Sequence, residues 1–340
     1  MMTLTLGYRS DGRVITTSGA ENPHIFIDGI SGSGKSFALK RLAEEAVHQG
    51  ALVIAFDYTG DYAEYLPSDA LRCQRMDIIG GELRINPLSP TSGTSAVVRA
   101  QRLVNLLLAA SRLGNQTCLD LSGAIIRYLE SGPKTPNIIG LVEYIENAGS
   151  ITKGMESALK HLKGLSYLIT NGPEEINVNL NSPRLLIFEF TQVESDWIRR
   201  LMVEVLLRVI WDSRTSIPVN NPPPLVLLLD ECQNLNWQRD GMPVRILREG
   251  RKFNIGGWFA SQWVETERAK TALREASVQM HFRQDQDTAT KLARTLAVRD
   301  LKKRERYVQL ICSLRRGDFL TGNPRCGVYV GHIMNCSTTM

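Results

Sequence analysis

The chain has 340 residues, 43% hydrophobic and 22% charged, with a formal net charge of +5 from 40 basic and 35 acidic side chains. These proportions belong to a globular protein with length for one large or two ordinary domains, and they exclude a disordered or collagen-like chain. With no apolar run of ~18 residues, no signal-peptide core at the start and no C-x-x-C spacing among six cysteines, nothing suggests a membrane span, zinc site or disulfide framework, and a cytoplasmic location is expected.

The first strong element is the β-branched, apolar run His24–Asp28, which leads into Gly29-Ile-Ser-Gly32-Ser-Gly34-Lys35-Ser36 and then a helical pattern over Lys35–Gln49. G-x-x-x-x-G-K-S between a strand and a helix is the phosphate loop of a P-loop nucleotide site. Gly29, Gly32 and Gly34 let the backbone curl its N–H groups inward at phosphate oxygens, and the helix N-terminus adds partial positive charge. Lys35 would reach the β- and γ-phosphates, and the Ser36 hydroxyl would complete the shell of a Mg²⁺. The residues expected to line ATP here are Gly29, Ser31, Gly32, Ser33, Gly34, Lys35, Ser36 and Phe37. A glycine-rich turn without function is the plainer alternative, and the lysine, the serine and both flanking elements weigh against it.

Further along, Leu52–Asp57, Leu185–Phe190, Leu225–Asp230 and Gly256–Ser261 are apolar without alternation, the pattern of parallel strands buried on both faces. Helical periodicity fills the intervals at Asp196–Ser213 and Val244–Lys252, which argues for a right-handed α/β sheet. Between Ser95 and Lys163 the runs VVRAQRLVNLLLAASRL, LSGAIIRYLES and IIGLVEYIEN are helical only. They predict a helical insertion spanning about 92–180 within one ATPase domain covering 1–340. Ile217–Pro224 is a proline-rich linker, and Phe319–Gly322 with Gly327–His332 form a closing strand pair.

Leu225-Val-Leu-Leu-Leu229-Asp230-Glu231 supplies the second half of the site. Carboxylates emerging at a strand's C-terminal end stand where an open α/β sheet binds ligands. Asp230 is expected to orient Mg²⁺ and Glu231 to polarise the attacking water. Next, Arg248-Glu249-Gly250-Arg251-Lys252 concentrates cations around a glycine, and a guanidinium there can neutralise transition-state charge, from a neighbouring subunit if need be. Gly256–Ser261 ends at Gln262, an amide able to sense the γ-phosphate. Finally, seven basic residues lie between Lys291 and Arg306 (Lys291, Arg294, Arg299, Lys302, Lys303, Arg304, Arg306), either a solvated helix face or a phosphate contact.

With these pieces in order, the chain resembles the FtsK/HerA superfamily of hexameric DNA-pumping ATPases. The resemblance rests on Pro23-His24 with the strand and GSGKS loop, on the Leu6-Gly7 and Asp11-Gly12 lead-in, and on Phe56-Asp57-Tyr58-Thr59-Gly60-Asp61-Tyr62. It continues through Asn86-Pro87-Leu88, Glu249-Gly250-Arg251-Lys252 followed by Ser261-Gln262, and Phe282-Arg283 with Asp287, covering roughly residues 5–335. It implies an α/β, RecA-like P-loop core, ATP and Mg²⁺ as cofactors, a hexameric homo-oligomer and ATP hydrolysis between subunits. Residue by residue it makes Arg251 the trans-acting arginine finger, Gln262 the sensor, and Asp57 an acid near the nucleotide. The chain departs from the family in lacking an N-terminal β-barrel, membrane segments and a winged helix, which leaves the nuclease, secretion or packaging partner unassigned.

The leading expectation is thus an ATPase that translocates double-stranded DNA through a ring. The loop Asn234–Pro243, with Arg239, is a weak candidate for the pore. An ATP-gated assembly module acting on a protein partner such as a nuclease is the alternative. A small-molecule P-loop kinase fits the Asp-Glu pair and the GRK…SQ segment less well.

Overall fold

The computed structural model describes residues 2–62, 73–77, 86, 88, 95–110, 113–149, 151–166, 184–216, 222–239, 241–264, 266–298, 300–323 and 327–333. Pro87, Arg299, Cys326, Cys336, residues 217–221 of the proline-rich stretch and parts of 92–180 lie outside them.

Eleven strands form one sheet: β1 (Thr5–Tyr8), β2 (Val14–Thr16), β3 (Ile25–Asp28), β4 (Leu52–Asp57), β5 (Cys73–Asp77), β6 (Arg184–Glu189), β7 (Leu225–Leu229), β8 (Ile255–Ser261), β9 (Val278–His281), β10 (Asp318–Asn323) and β11 (Gly327–His332). Their order is β2-β1-β11-β10-β9-β3-β8-β7-β4-β6-β5. The seven strands from β9 to β5 pair in parallel, and the four on the other flank are antiparallel. Strand β8 lies between β3, which carries the glycine loop, and β7, which carries the acid pair. That interposed strand brings Gln262 between the two halves of the site.

The period-2 geometry of strands divides the apolar runs between the sheet's two faces. Leu52, Ile54 and Phe56 of β4 join one core cluster with Leu225, Leu227 and Leu229 of β7. Val53 and Ala55, with Val226 and Leu228, join the other. Helix α1 (Lys35–His48) covers the second face with Leu39 and Leu42, both fully buried. The first face packs against α2 (Ala96–Ala110), α3 (Asn115–Glu130), α4 (Ile138–Glu146), α5 (Lys153–Ser166), α6 (Asp196–Ser216), α7 (Met242–Glu249) and α8 (Glu267–Leu273). The first four of these occupy the chain between β5 and β6. A hairpin of α9 (Gln286–Leu296) and α10 (Leu301–Ser313) carries a small third core around Ala289, Ile311 and Leu320. Both of its helices open on aspartates that accept from the backbone, Asp285 from Thr288 N and Asp300 from Lys303 N.

Strand β5, polar in sequence, was not foreseen, and β9 is four residues, Val-Gln-Met-His, ending just before the Phe282-Arg283 pair at which the resemblance expects a strand. Helix α7 begins two residues earlier than the periodicity indicates and ends at Glu249, where a 3₁₀ turn over Gly250–Phe253 takes over. The C-terminal pair does more than close the domain, because β10 pairs with β9 and extends the central sheet.

Helix α6 buries Glu204, whose Oε1 accepts from the Met242 backbone N–H at 2.8 Å. Burial raises its pKa from 4.5 to about 7, opposed by that hydrogen bond and by the charge of Arg208. Because the folded form holds the proton more tightly, this stability contribution is full below pH 4.5 and is lost as pH rises to about 7. The loss is on the order of 3 kcal/mol. Glu204→Gln keeps the acceptor oxygen without the charge. Thermal melts should show it several degrees more stable than wild type at pH 8, with most of that gain gone at pH 5. A gain independent of pH would refute the assignment.

Candidate active site

At two of its glycines the loop is crowded by its neighbours, whereas Gly32 (φ 72°) faces open space and is set by its left-handed backbone alone. A Cβ at Gly29 would lie 2.6 Å from the Cβ of Phe282, and one at Gly34 (φ 116°) would lie 3.2 Å from the Gly317 nitrogen. The loop is hung from three other segments. Gly29 N donates to Ser261 O at 3.3 Å, Ile30 N to Arg283 O at 2.9 Å, and Gly317 N to Ser33 O at 2.9 Å. Ser33, buried, donates its Oγ to Ile30 O at 2.8 Å and so closes the loop internally. Phe37 packs against the core beneath α1, whereas Ser31 and Gly32 are exposed at the tip. Helix α1 starts after Gly34 with no acidic residue in its first turn, so its positive end faces the loop uncompensated by its own sequence.

Lys35 is buried, and its Nζ donates to Gly29 O at 2.8 Å and Ile30 O at 3.1 Å. Burial lowers its pKa, while Asp230, Glu231 and Asp28 work in the opposite direction. Ser36 Oγ donates to Asp230 Oδ2 at 2.9 Å, and Tyr62 OH reaches the same oxygen at 3.3 Å. Desolvation raises the Asp230 pKa, opposed by the bonds from Ser36 and from the Glu231 N–H. A hydroxyl and a carboxylate meeting at a phosphate loop fit Mg²⁺, a hard cation that favours few protein oxygens and keeps waters or phosphates as its other ligands. Among the described residues no three His, Cys, Asp or Glu side chains gather to hold a metal by themselves.

Glu231 follows Asp230 at φ 55°, in the left-handed region that few side chains occupy. That turn frees its carboxylate from the strand direction. Gln262 Nε2 donates to Glu231 Oε1 at 3.0 Å, and Gln233 Nε2 donates to the other oxygen. Ser261 Oγ in turn donates to Gln233 Oε1 at 2.7 Å. Glu231 is thus gripped from both sides, with Gln262 fixed by the end of β8.

Asp57 is also buried, but its carboxylate accepts from the backbone of Thr59, Gly60 and Tyr62 at 3.2, 2.9 and 3.1 Å. In this structure it shapes the 57–62 turn and delivers Tyr62 to Asp230. Asn86 likewise caps its own turn, accepting from Leu88 N, and ties it to Pro136 O. Gln233 and the His281–Asp28 contact (2.7 Å) beside the loop carried no sequence signal, and Tyr62 stood in the Phe56–Tyr62 resemblance without an assigned role. They became visible once the strand order was known.

Arg251 sits elsewhere. It is exposed in the 3₁₀ turn before β8, and Gly250 beside it packs on His24 at the start of β3. The glycine loop and Gln262 lie at the opposite ends of those strands. At ~3.3 Å per residue, the strands put on the order of 15–20 Å between Arg251 and its own loop.

A protein-family model described as the central domain of the helicase HerA matches residues 15–210, more than half of the chain. A search of curated protein sequences returned no match. Among solved structures, VirB4 of Thermoanaerobacter pseudethanolicus superposes with a TM-score of 0.75 at 21% identity, covering 98% of this chain and 96% of that one. The unbound conjugative coupling protein TrwBdeltaN70 gives 0.65 at 16%, covering 97% and 88%. TrwB in complex with ADP and Mg²⁺ gives 0.65 at 17%, covering 97% and 89%.

Proposed function

Since the chain belongs to the family of the helicase HerA central domain, we propose that it is an ATP-hydrolysing ring motor, a hexamer, that moves double-stranded DNA. The observation that carries this reading is the division of the site between strand ends. Lys35, Ser36, Asp230, Glu231 and Gln262 converge in one subunit, while Arg251 is turned away at the far end of β8. A ring in which each protomer presents its Arg251 end to the next one's loop completes every site and leaves none half-built. Likeness to a plasmid coupling protein crystallised with ADP and Mg²⁺ supports the nucleotide and metal.

In this mechanism the loop N–H groups and Lys35 hold the triphosphate, and a Mg²⁺ held by Ser36 and Asp230 would neutralise charge on its phosphates. Glu231 accepts the proton of the attacking water as the water oxygen bonds to the γ-phosphorus and the bond to the β,γ-bridging oxygen breaks, leaving ADP and inorganic phosphate. Gln262 keeps Glu231 aimed, and the neighbour's Arg251 balances the negative charge that builds on the transferring oxygens. Hydrolysis then alters the contact between protomers and advances the DNA, gripped through phosphates.

The test is steady-state ATP hydrolysis with and without linear duplex DNA across a salt series. Stimulation by DNA that fades as salt rises is the expected result. Turnover indifferent to DNA would overturn the motor reading in favour of a nucleotide-gated module that assembles around a protein partner.

A further inference from the structure

Beneath the Arg251 turn lies a histidine that the hydrolytic chemistry does not use. His24, just before β3, is fully buried. Its backbone is pinned on both sides, N donating to Asn22 Oδ1 at 3.1 Å and O accepting from Val278 N at 3.3 Å. The ring reaches sideways to β8, where Nδ1 accepts from Gly257 N at 3.0 Å. That bond puts the ring proton on Nε2, which has no partner among the described residues. Burial lowers the pKa from 6.5 to about 4, so the imidazole is neutral. A buried N–H without an acceptor is costly, and a hydrocarbon side chain would avoid that cost.

What a hydrocarbon would not do is hold two neighbours at once. Cε1 lies 3.2 Å from where a Cβ on Gly250 would stand, and Ile255 O lies 2.9 Å from the same point. Gly250 is thus wedged between the ring and the first residue of β8, with no slack for a side chain. The far end of the turn is held as well: Arg214 Nε donates to Phe253 O at 3.0 Å, and Asn254 Nδ2 donates to Pro222 O at 3.0 Å. Arg251, between these supports, is exposed, and among the described residues no side chain bonds its guanidinium. Where it stands is therefore set by the backbone of the turn. Imidazole combines an acceptor for Gly257 with a rigid edge against Gly250, whereas asparagine offers only the first and phenylalanine only the second.

We propose that His24 is a positioning residue for Arg251, fixing where a protomer presents that guanidinium to the next one's ATP. The inference rests on the reading of Arg251 as an arginine that acts in trans, and it adds the residue that aims it.

Two variants disturb the wedge from opposite sides. His24→Asn keeps an acceptor for Gly257 and removes the edge, and Gly250→Ala pushes the turn off the ring. In the full-length protein each should lower kcat ~10–100-fold, with KM for ATP and affinity for a fluorescent ATP analogue within about 3-fold of wild type. Mixed rings give the readout that a merely structural defect would not move. His24→Asn mixed with Glu231→Gln should recover turnover, because aimed arginines then meet intact bases. Mixed with Arg251→Ala it should recover none, because neither partner supplies an aimed arginine. The reverse pattern, recovery with Arg251→Ala and none with Glu231→Gln, would assign His24 to its own phosphate loop and overturn the proposal. So would turnover within twofold of wild type in both variants. If His24→Asn fails to fold, Gly250→Ala enters the same mixtures with the same expectations. The mixture of Arg251→Ala with Glu231→Gln separates the two readings. No recovery there, with mixed rings demonstrated, removes the trans role and this proposal with it, whereas recovery there beside the reverse pattern removes this proposal alone.

Discussion

Glu231→Gln should lower ATP turnover by ~10²–10⁴-fold while ATP affinity stays within a few-fold of wild type, the loss expected when a general base is removed. The substitution is close to isosteric, and Gln tolerates the 55° φ as well as Glu does. It retains one oxygen for the bonds from Gln262 and Gln233 and loses the second, a stability cost of about 1 kcal/mol that does not unfold the chain. Single-turnover hydrolysis beside equilibrium binding of a fluorescent ATP analogue separates chemistry from affinity. Turnover within tenfold of wild type would show that the carboxylate is not the base. A matching collapse of nucleotide affinity would show that it acts in binding.

The second large effect is expected at Arg251. Arg251→Ala should leave ATP binding intact and remove most turnover, ~10³–10⁵-fold if the guanidinium is an arginine finger. Because it stands at the far end of β8 from its own loop, the lost function belongs to the adjacent protomer. Mixing Arg251→Ala with Glu231→Gln, each nearly inactive alone, should therefore restore part of the activity. The recovered sites pair a wild-type arginine from one variant with a wild-type base from the other. A fully active Arg251→Ala protein refutes the role. Failure to recover activity on mixing, with mixed rings demonstrated, places the arginine's influence inside its own subunit.

Much of the site was legible because its chemistry is local in sequence. The loop from Gly29 to Ser36 sits between a strand and a helix, and a P-loop needs those neighbours. The apolar stretches at β4, β7 and β8 announced themselves because both faces of the sheet are covered, which suppresses alternation. What stayed hidden depends on which strand lies beside which. Tyr62 reaches Asp230 because β4 lies beside β7, and Gln262 reaches Glu231 because β8 lies on its other side, adjacencies no short motif encodes, whereas Gln233 grips Glu231 from two residues along the same turn. For Asp57 the familiar pattern gave an acid near the nucleotide, and the structure adds what the pattern does not contain, three backbone N–H donors of its own turn on that carboxylate.

The bond from Gly317 to Ser33 joins residues almost three hundred positions apart, and Ile333 N then donates back to Gly317 O at 3.0 Å. During synthesis the glycine loop emerges well before Gly317, the residue that completes its seat. A nascent or prematurely terminated chain that stops short of Gly317 carries every residue of the phosphate loop but lacks the strand turn that seats it. The seat of the phosphate loop is therefore finished only once synthesis has passed Gly317, however early the loop itself was made.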